Sequence, residues 1–334
     1  METLLLEAEE EQLVKAAVLL KNNEVVAVPT ETVYGLAANA MNVEAVRKIF
    51  AAKGRPQDNP LILHIGSFDM LHDITDNIPP LACNLAEAFW PGPLTMIFRR
   101  KENVPAETCG GLDTAAVRMP DNDFTRKLIE ECGFPLAAPT ANTSGLPSPT
   151  SAAHVFADMK GKIPMIIDGG ECSCGVESTV ITFENESIRI LRPGAVTPEM
   201  LREFAEVIID NGVLKQLSPD ERVMSPGMKY KHYSPKAEVY IVDGSDEQFT
   251  KFIAALTDDK TAVLCGNEAL PEHIIRLPYG SSAEEQGENL FASLRKADEL
   301  GCKAVYVRSP DTEGFGLAVY NRLLRAAGFR VIKL

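Results

Sequence analysis

Between residues 211 and 236 the chain loses every lasting hydrophobic period, and the segment SPDERVMSPGMKYKHYSPK within it is rich in Ser, Pro, Lys and Tyr. A stretch of that kind supports neither a strand nor a helix of its own, so it divides the chain into separately organised parts. With 334 residues there is length for two units of ordinary size. The partition that follows is a first unit at 1–213, a linker at 214–236 and a second unit at 237–334. The linker also gathers Lys229, Tyr230, Lys231, His232, Tyr233 and Lys236. A passive tether has no need of a basic and aromatic cluster in an acidic protein. Pro226, Gly227 and Pro235 bracket it as hinges, so it reads equally as a lid that touches substrate.

The two flanks follow different rhythms. Upstream, short apolar runs predict strands at 25–30, 61–65, 94–98, 115–119, 135–139, 165–168, 178–183 and 187–191, and helical spacing predicts helices at 12–22, 42–55, 81–89, 122–132, 150–159 and 197–210. Several strands are parted by turns alone. That predicts an α/β unit with a twisted, open mixed sheet, not a regular strand–helix alternation. Downstream, strands at 237–242, 261–265, 273–277, 304–308 and 329–333 alternate with helices at 246–256, 282–300 and 316–327, the pattern of a small doubly wound, Rossmann-like unit.

Composition narrows the function. Forty-five per cent hydrophobic and 24% charged residues exclude a disordered, collagenous or coiled-coil chain. The net charge of −14 argues against a broad nucleic-acid surface, yet leaves room for a small positive pocket. No apolar run reaches about 18 residues, and METLLLEAEEEQ places acids where a secretion signal carries Lys or Arg, so a cytoplasmic location is expected. Seven scattered Cys fit reduced thiols; Cys172 and Cys174 have no second pair at zinc spacing, and the five His have no ligand spacing. Phosphate-loop, dinucleotide and nucleophile-elbow motifs are absent.

What remains is a set of polar segments at strand ends. PTETVYGL (29–36) offers Thr30, Thr32 and Tyr34 beside Gly35. KGRPQDNPLILHI (53–65) places Lys53 and Arg55 around Gly54 at a helix C-terminus, where cations suit the helix dipole. With His64 in the apolar strand beyond, the same fork also reads as a polyphosphate site. Arg118 lies inside an apolar strand and requires an acidic partner, from the protein or from a ligand. APTANTSGLPSPTSA (138–152) crowds hydroxyls at a helix entrance, either a plain capped loop or an anion site. DGGECSCGVESTVI (168–181) and Arg192 complete the set. Together they indicate nucleotide-dependent chemistry on a small acidic metabolite.

At these residues the chain resembles the threonylcarbamoyl-AMP synthase family in its long, two-domain form. The resemblance rests on PTETVYGLAANA, KGRPQDNPLILHI, FWPGPLT, GLDTAAVRMP, APTANTSGLPSPT, GVESTV, LRPGAVT and SPGMKYKHYSP, in order over residues 29–235, and on GFGLAVYNRLLRAA at 314–327. It implies a nucleotidyltransferase that converts L-threonine, bicarbonate or CO2 and ATP into threonylcarbamoyl-adenylate and pyrophosphate, for threonylcarbamoyl-adenosine in tRNA. The fold it implies has helices around a positive concave cavity. It implies ATP contacts at Arg55, Asn59, Thr114, Thr140, Asn142, Ser148 and Arg192, with Lys231 and His232 from the linker. Lys53 and Arg55 are the catalytic cations. Threonine contacts fall on Thr32, His64, Arg118, the Ala138 backbone and Ser178. Magnesium is expected with ATP, held by the phosphates and not by a protein site. The product passes to a tRNA threonylcarbamoyl transferase complex, and direct tRNA binding is left open. Thr140 stands where the family usually carries Ser; the hydroxyl is kept. Two other readings are an RNA-docking protein on the same concave surface and a carbamoyl transferase using carbamoyl phosphate. The −14 charge weighs against the first, and the absence of Cys pairs for zinc fingers against the second.

Overall fold

The computed structural model describes residues 1–215, 232–266 and 270–334. The first unit is built on eleven strands: β1 (Leu4–Glu7), β2 (Val26–Val28), β3 (Gly35–Asn39), β4 (Ile62–His64), β5 (Leu94–Arg99), β6 (Thr114–Arg118), β7 (Leu136–Ala137), β8 (Met165–Asp168), β9 (Thr179–Glu184), β10 (Ser187–Arg192) and β11 (Val207–Ile209). They form one sheet in the order β1-β8-β2-β3-β7-β4-β6-β5-β9-β10-β11. Parallel and antiparallel pairs are mixed along it: β4 runs parallel to β6 and antiparallel to β7, and β5 runs antiparallel to β6 and parallel to β9. The mixed α/β architecture therefore agrees with the sequence pattern.

Helices α1 (Glu10–Lys21), α2 (Val43–Lys53), α3 (Leu71–Ile74), α4 (Pro80–Phe89), α5 (Asp123–Cys132), α6 (Ala152–Met159) and α7 (Pro198–Arg202) cover this sheet. On α1 and α5, Ala16, Ala17, Leu20, Leu128 and Ile129 close a core with Val26, Val28 and Ile167. A larger core joins Val46, Ile49 and Phe50 of α2 to Leu63 and Val117. Local signals set α2: the Asn42 side chain accepts from Ala45 N at 3.0 Å, and Gly54 ends the helix at φ 62°, where a Cβ would be strained.

The second unit contains β12 (Glu238–Asp243), β13 (Thr261–Cys265), β14 (Ile275–Pro278), β15 (Ala304–Arg308) and β16 (Val331–Lys333). Their order is β14-β13-β15-β12-β16 and every pair is parallel. Helices α8 (Asp246–Ala254), α9 (Ala283–Glu299) and α10 (Gly316–Ala326) connect them. Among the described residues no helix is long and apolar enough to cross a membrane.

Three expectations change. The predicted helix at 197–210 stops at Arg202, because Val207–Ile209 pairs in parallel with β10. β1 and β3 were not predicted: acids mask the first, and the second emerges from the polar segment PTETVYGL. The predicted strand at 135–139 is only two residues long, flanked by Pro135 and Pro139.

The two units pack closely. Gly175, at φ 70°, lies where a Cβ would come within 2.2 Å of the Gly287 carbonyl oxygen, so a larger side chain there would push α9 away. Arg295 of α9 forms an ion pair with Asp158 at 2.9 Å and donates to Pro147 O at 2.6 Å.

Candidate active site

Period two in the strands decides what faces the cavity. In β4, Leu63 belongs to the main core, so Ile62 and His64 face the other way. In β6, Val117 belongs to the same core and Arg118 shares the opposite face with Ala116. Register places His64 opposite Arg118. The pairing register shifts between Ile190 and Arg192, which turns Arg192 to the cavity side; strict alternation would send it with Ile190 into the core.

The cavity above these strands holds about 610 Å³ of empty space, its mouth included. Three guanidinium groups converge on it from separate segments: Arg55 after α2, Arg118 at the end of β6 and Arg192 at the end of β10. Thr32, His64, Ala138, Thr140, Ser178 and His232 line it as well. The structure thus brings nine of the proposed site residues to one cavity.

Arg118 is hydrogen-bonded through two of its nitrogens and ion-paired through the third. Its Nη1 donates to Thr32 Oγ1 at 2.8 Å and its Nε to Gly92 O at 3.2 Å. Its Nη2 lies 2.6 Å from Glu31 Oε2 in a buried ion pair. The acid that a buried arginine requires is therefore supplied by the protein itself. Thr30 fixes the adjoining turn by donating to Val33 O at 2.6 Å. Arg192 donates from Nε to Ser178 O and from Nη2 to Ser178 Oγ, both at 3.1 Å, and Ser178 Oγ meets Thr95 Oγ1 at 2.8 Å. Burial lowers the Arg192 pKa to about 10, which leaves it cationic at neutral pH.

The histidines are neutral. Burial, then the Arg118 charge, pushes the His64 pKa down to about 3. Burial, then Arg55, does the same to His232. Among the described residues, the buried His232 Nε2 has no hydrogen-bond partner. The neighbouring Tyr233 holds φ at 63°, a left-handed backbone that costs a non-glycine residue energy.

Other proposed residues lie outside the cavity lining. Lys53 is buried, and its Nζ donates to Thr140 O, to Asn142 O at 2.8 Å and to Asn142 Oδ1 at 3.2 Å. It braces the loop that presents Thr140, and burial drives its pKa well below the ordinary lysine value. Asn142 donates onward to Leu146 O at 2.8 Å. Asn59 is buried ahead of β4. Thr114 begins β6, four residues from Arg118 and so roughly 13 Å along the strand. Ser148 Oγ is turned to Glu177 Oε1 at 2.5 Å. The hydroxyl-rich entrance to α6 is thus largely used internally: the Ser151 side chain caps the helix and accepts from His154 N. Lys231 and the lid through residue 231 lie outside the described residues.

Sequence reasoning missed Glu31 and Glu177. Glu177 lines the cavity; burial opposes its ionisation, but Arg322 and Arg192 hold its pKa below the usual value. The available signal was an acid as the one charged residue inside each of two segments rich in hydroxyls, PTETVYGL and GVESTV. Among the described residues no group of three or more His, Cys, Asp or Glu could hold a metal ion.

Comparison with known proteins gives the site a context. A family model described as "Telomere recombination" matches residues 18–194, and one described as "Threonylcarbamoyl-AMP synthase, C-terminal domain" matches residues 196–328. A threonylcarbamoyl-AMP synthase of Pyrococcus abyssi is 45% identical over 325 residues, covering 96% of this chain and 95% of the relative. One of Bacillus subtilis is 43% identical, covering 96% and 94%. The crystal structure of P. abyssi Sua5 complexed with L-threonine superposes with a TM-score of 0.92 at 43% identity, over 100% of this chain and 99% of that one. On these matches, which run through both units, the chain belongs to the threonylcarbamoyl-AMP synthase family.

Proposed function

We propose that the chain is a cytoplasmic nucleotidyltransferase that makes L-threonylcarbamoyl-adenylate and pyrophosphate from L-threonine, bicarbonate or CO2 and ATP. The observation that carries the reading is the convergence of Arg55, Arg118 and Arg192 on one cavity with two neutral histidines and several hydroxyls. Two anionic substrates must meet there, and the fixed guanidinium groups offset their repulsion. The amine of threonine attacks the carbon of bicarbonate or CO2 to form a carbamate; with bicarbonate, water leaves, and with CO2 the amine releases a proton to solvent. A carbamate oxygen then attacks the α-phosphorus of ATP, the bond to the β-phosphate oxygen breaks, and pyrophosphate departs. Neither step requires a protein nucleophile.

Arg118, with Thr32, His64, the Ala138 backbone and Ser178, holds threonine. Arg55, Arg192, Thr140 and His232 hold ATP, aided by Asn59, Thr114, Asn142, Ser148 and Lys231. Lys53 acts by fixing the Thr140 loop, and Arg55 offsets the charge that builds on the leaving phosphates. Residues 1–213 form the catalytic unit and 237–334 the second unit. Among the described residues the donor set does not form a metal cage: the one carboxylate lining the cavity, Glu177, is already bonded to Ser148 and Arg322. Magnesium therefore arrives with the phosphates as part of the substrate. The product is consumed by a transferase complex that modifies tRNA.

The test is pyrophosphate release from ATP by the purified chain without RNA. Release that requires threonine and bicarbonate supports the reading. Release that requires RNA, or none at all, contradicts it.

A further inference from the structure

Arg322, on α10 of the second unit, is fully buried, and each of its nitrogens is bonded. Nε donates to Glu177 Oε2 at 2.7 Å and Nη2 to Glu177 O at 2.9 Å. Nη1 donates to Pro193 O and to Asn321 Oδ1, both at 2.9 Å. Glu177 immediately precedes Ser178, and Pro193 immediately follows Arg192. The other oxygen of Glu177 takes the Ser148 hydroxyl. One guanidinium from the second unit therefore ties together three segments of the first that carry residues of the cavity or its surroundings. Tyr233, itself on the cavity wall, has its ring 6.0 Å from the same guanidinium.

We infer that Arg322 is a positioning residue for nucleotide binding: acting through the Glu177 carboxylate, it sets the orientation of Ser148. The second unit thereby completes a site it does not line with Arg322. The inference rests on the nucleotide reading given above. A purely adhesive role explains the geometry poorly. Desolvating an arginine and a glutamate to join two domains gains little over apolar side chains of the same volume. Apolar side chains would also leave the Ser148 hydroxyl, the Glu177 carbonyl and the Pro193 carbonyl without this partner network, whereas a planar fork fixes several acceptors at once.

The experiment is a double-mutant cycle on the full chain, read by calorimetric titration of ATP and, separately, of threonine. The variants are Arg322→Lys, Ser148→Ala and both together, with Glu177→Gln as a shape-preserving substitute for Arg322→Lys if that variant does not fold. Each single change should weaken ATP binding about tenfold, and the double should be no weaker than about threefold beyond the worse single, because both break one path. Threonine affinity should stay within about threefold in Arg322→Lys. Multiplying losses, near a hundredfold in the double, would show that Arg322 acts independently of Ser148 and overturn the inference. Equal loss of ATP and threonine affinity would assign Arg322 to general packing and overturn it too. A wild-type chain that binds no ATP would overturn the nucleotide reading itself, a result distinct from both.

Discussion

Replacing Arg118 with Lys tests the carboxylate end of the cavity. The guanidinium makes three contacts, to Glu31 at 2.6 Å, Thr32 at 2.8 Å and Gly92 O at 3.2 Å. An ammonium retains the charge but has no planar fork, so it keeps the Glu31 pair or approaches the substrate, not both in register. Losing one charge-assisted hydrogen bond to the threonine carboxylate costs about 2 kcal/mol, close to a thirtyfold rise in Kd. Calorimetric titration of threonine measures it directly, with the ATP titration as the internal control. ATP affinity should remain within about threefold. Unchanged threonine affinity, in a variant that melts normally, would remove Arg118 from the substrate site. Glu31→Gln probes the same contact from the other side. It leaves the guanidinium short of a counter-charge, so the variant should melt lower, and saturating threonine should raise its melting temperature more than that of the wild type. A smaller rise would mean that the two carboxylates do not share Arg118.

Lys53→Ala frees four acceptors on the Thr140–Asn142 loop and should lower turnover by about one to three orders of magnitude, with threonine affinity preserved; steady-state kinetics showing near-normal turnover and a loss only for threonine would contradict it. Stability should fall on acidification from pH 7 to 5. His64 and His232 have folded-state pKa values of about 3, below the unfolded value near 6.5, so the unfolded chain takes up their protons first. Each contributes a slope of about 1.4 kcal/mol per pH unit below 6.5, and His64→Gln should flatten the melting-temperature profile; identical profiles for the two proteins would refute the assignment.

Much of the fold is legible because burial imposes period. β8, β13 and β15 occupy the residues their apolar runs predict, and α2 begins and ends at its cap signals. The failures lie where tertiary pairing overrides local pattern. Val207–Ile209 looks helical beside Pro198–Arg202, yet a neighbouring strand claims it. The site was legible as residue types at strand ends, and nine of them do converge. What each group bonds to was not. Nothing in the spacing reveals that Lys53 faces a loop, that Ser148 faces Glu177, or that Arg118 already holds Glu31, because those partners lie 87, 29 and 87 residues away. Arg192 needs a register shift to reach the cavity, and local sequence carries no mark of it.

If one cavity joins threonine, bicarbonate and ATP, the bicarbonate carbon must end in the adenylate. Mass spectrometry of a reaction with carbon-13 bicarbonate tests it most directly. Threonylcarbamoyl-adenylate should carry one labelled carbon, form with one pyrophosphate per product, vanish when any substrate is omitted and be unaffected by ribonuclease. An unlabelled product, an adenylate formed without threonine, or no adenylate with all three present would contradict it.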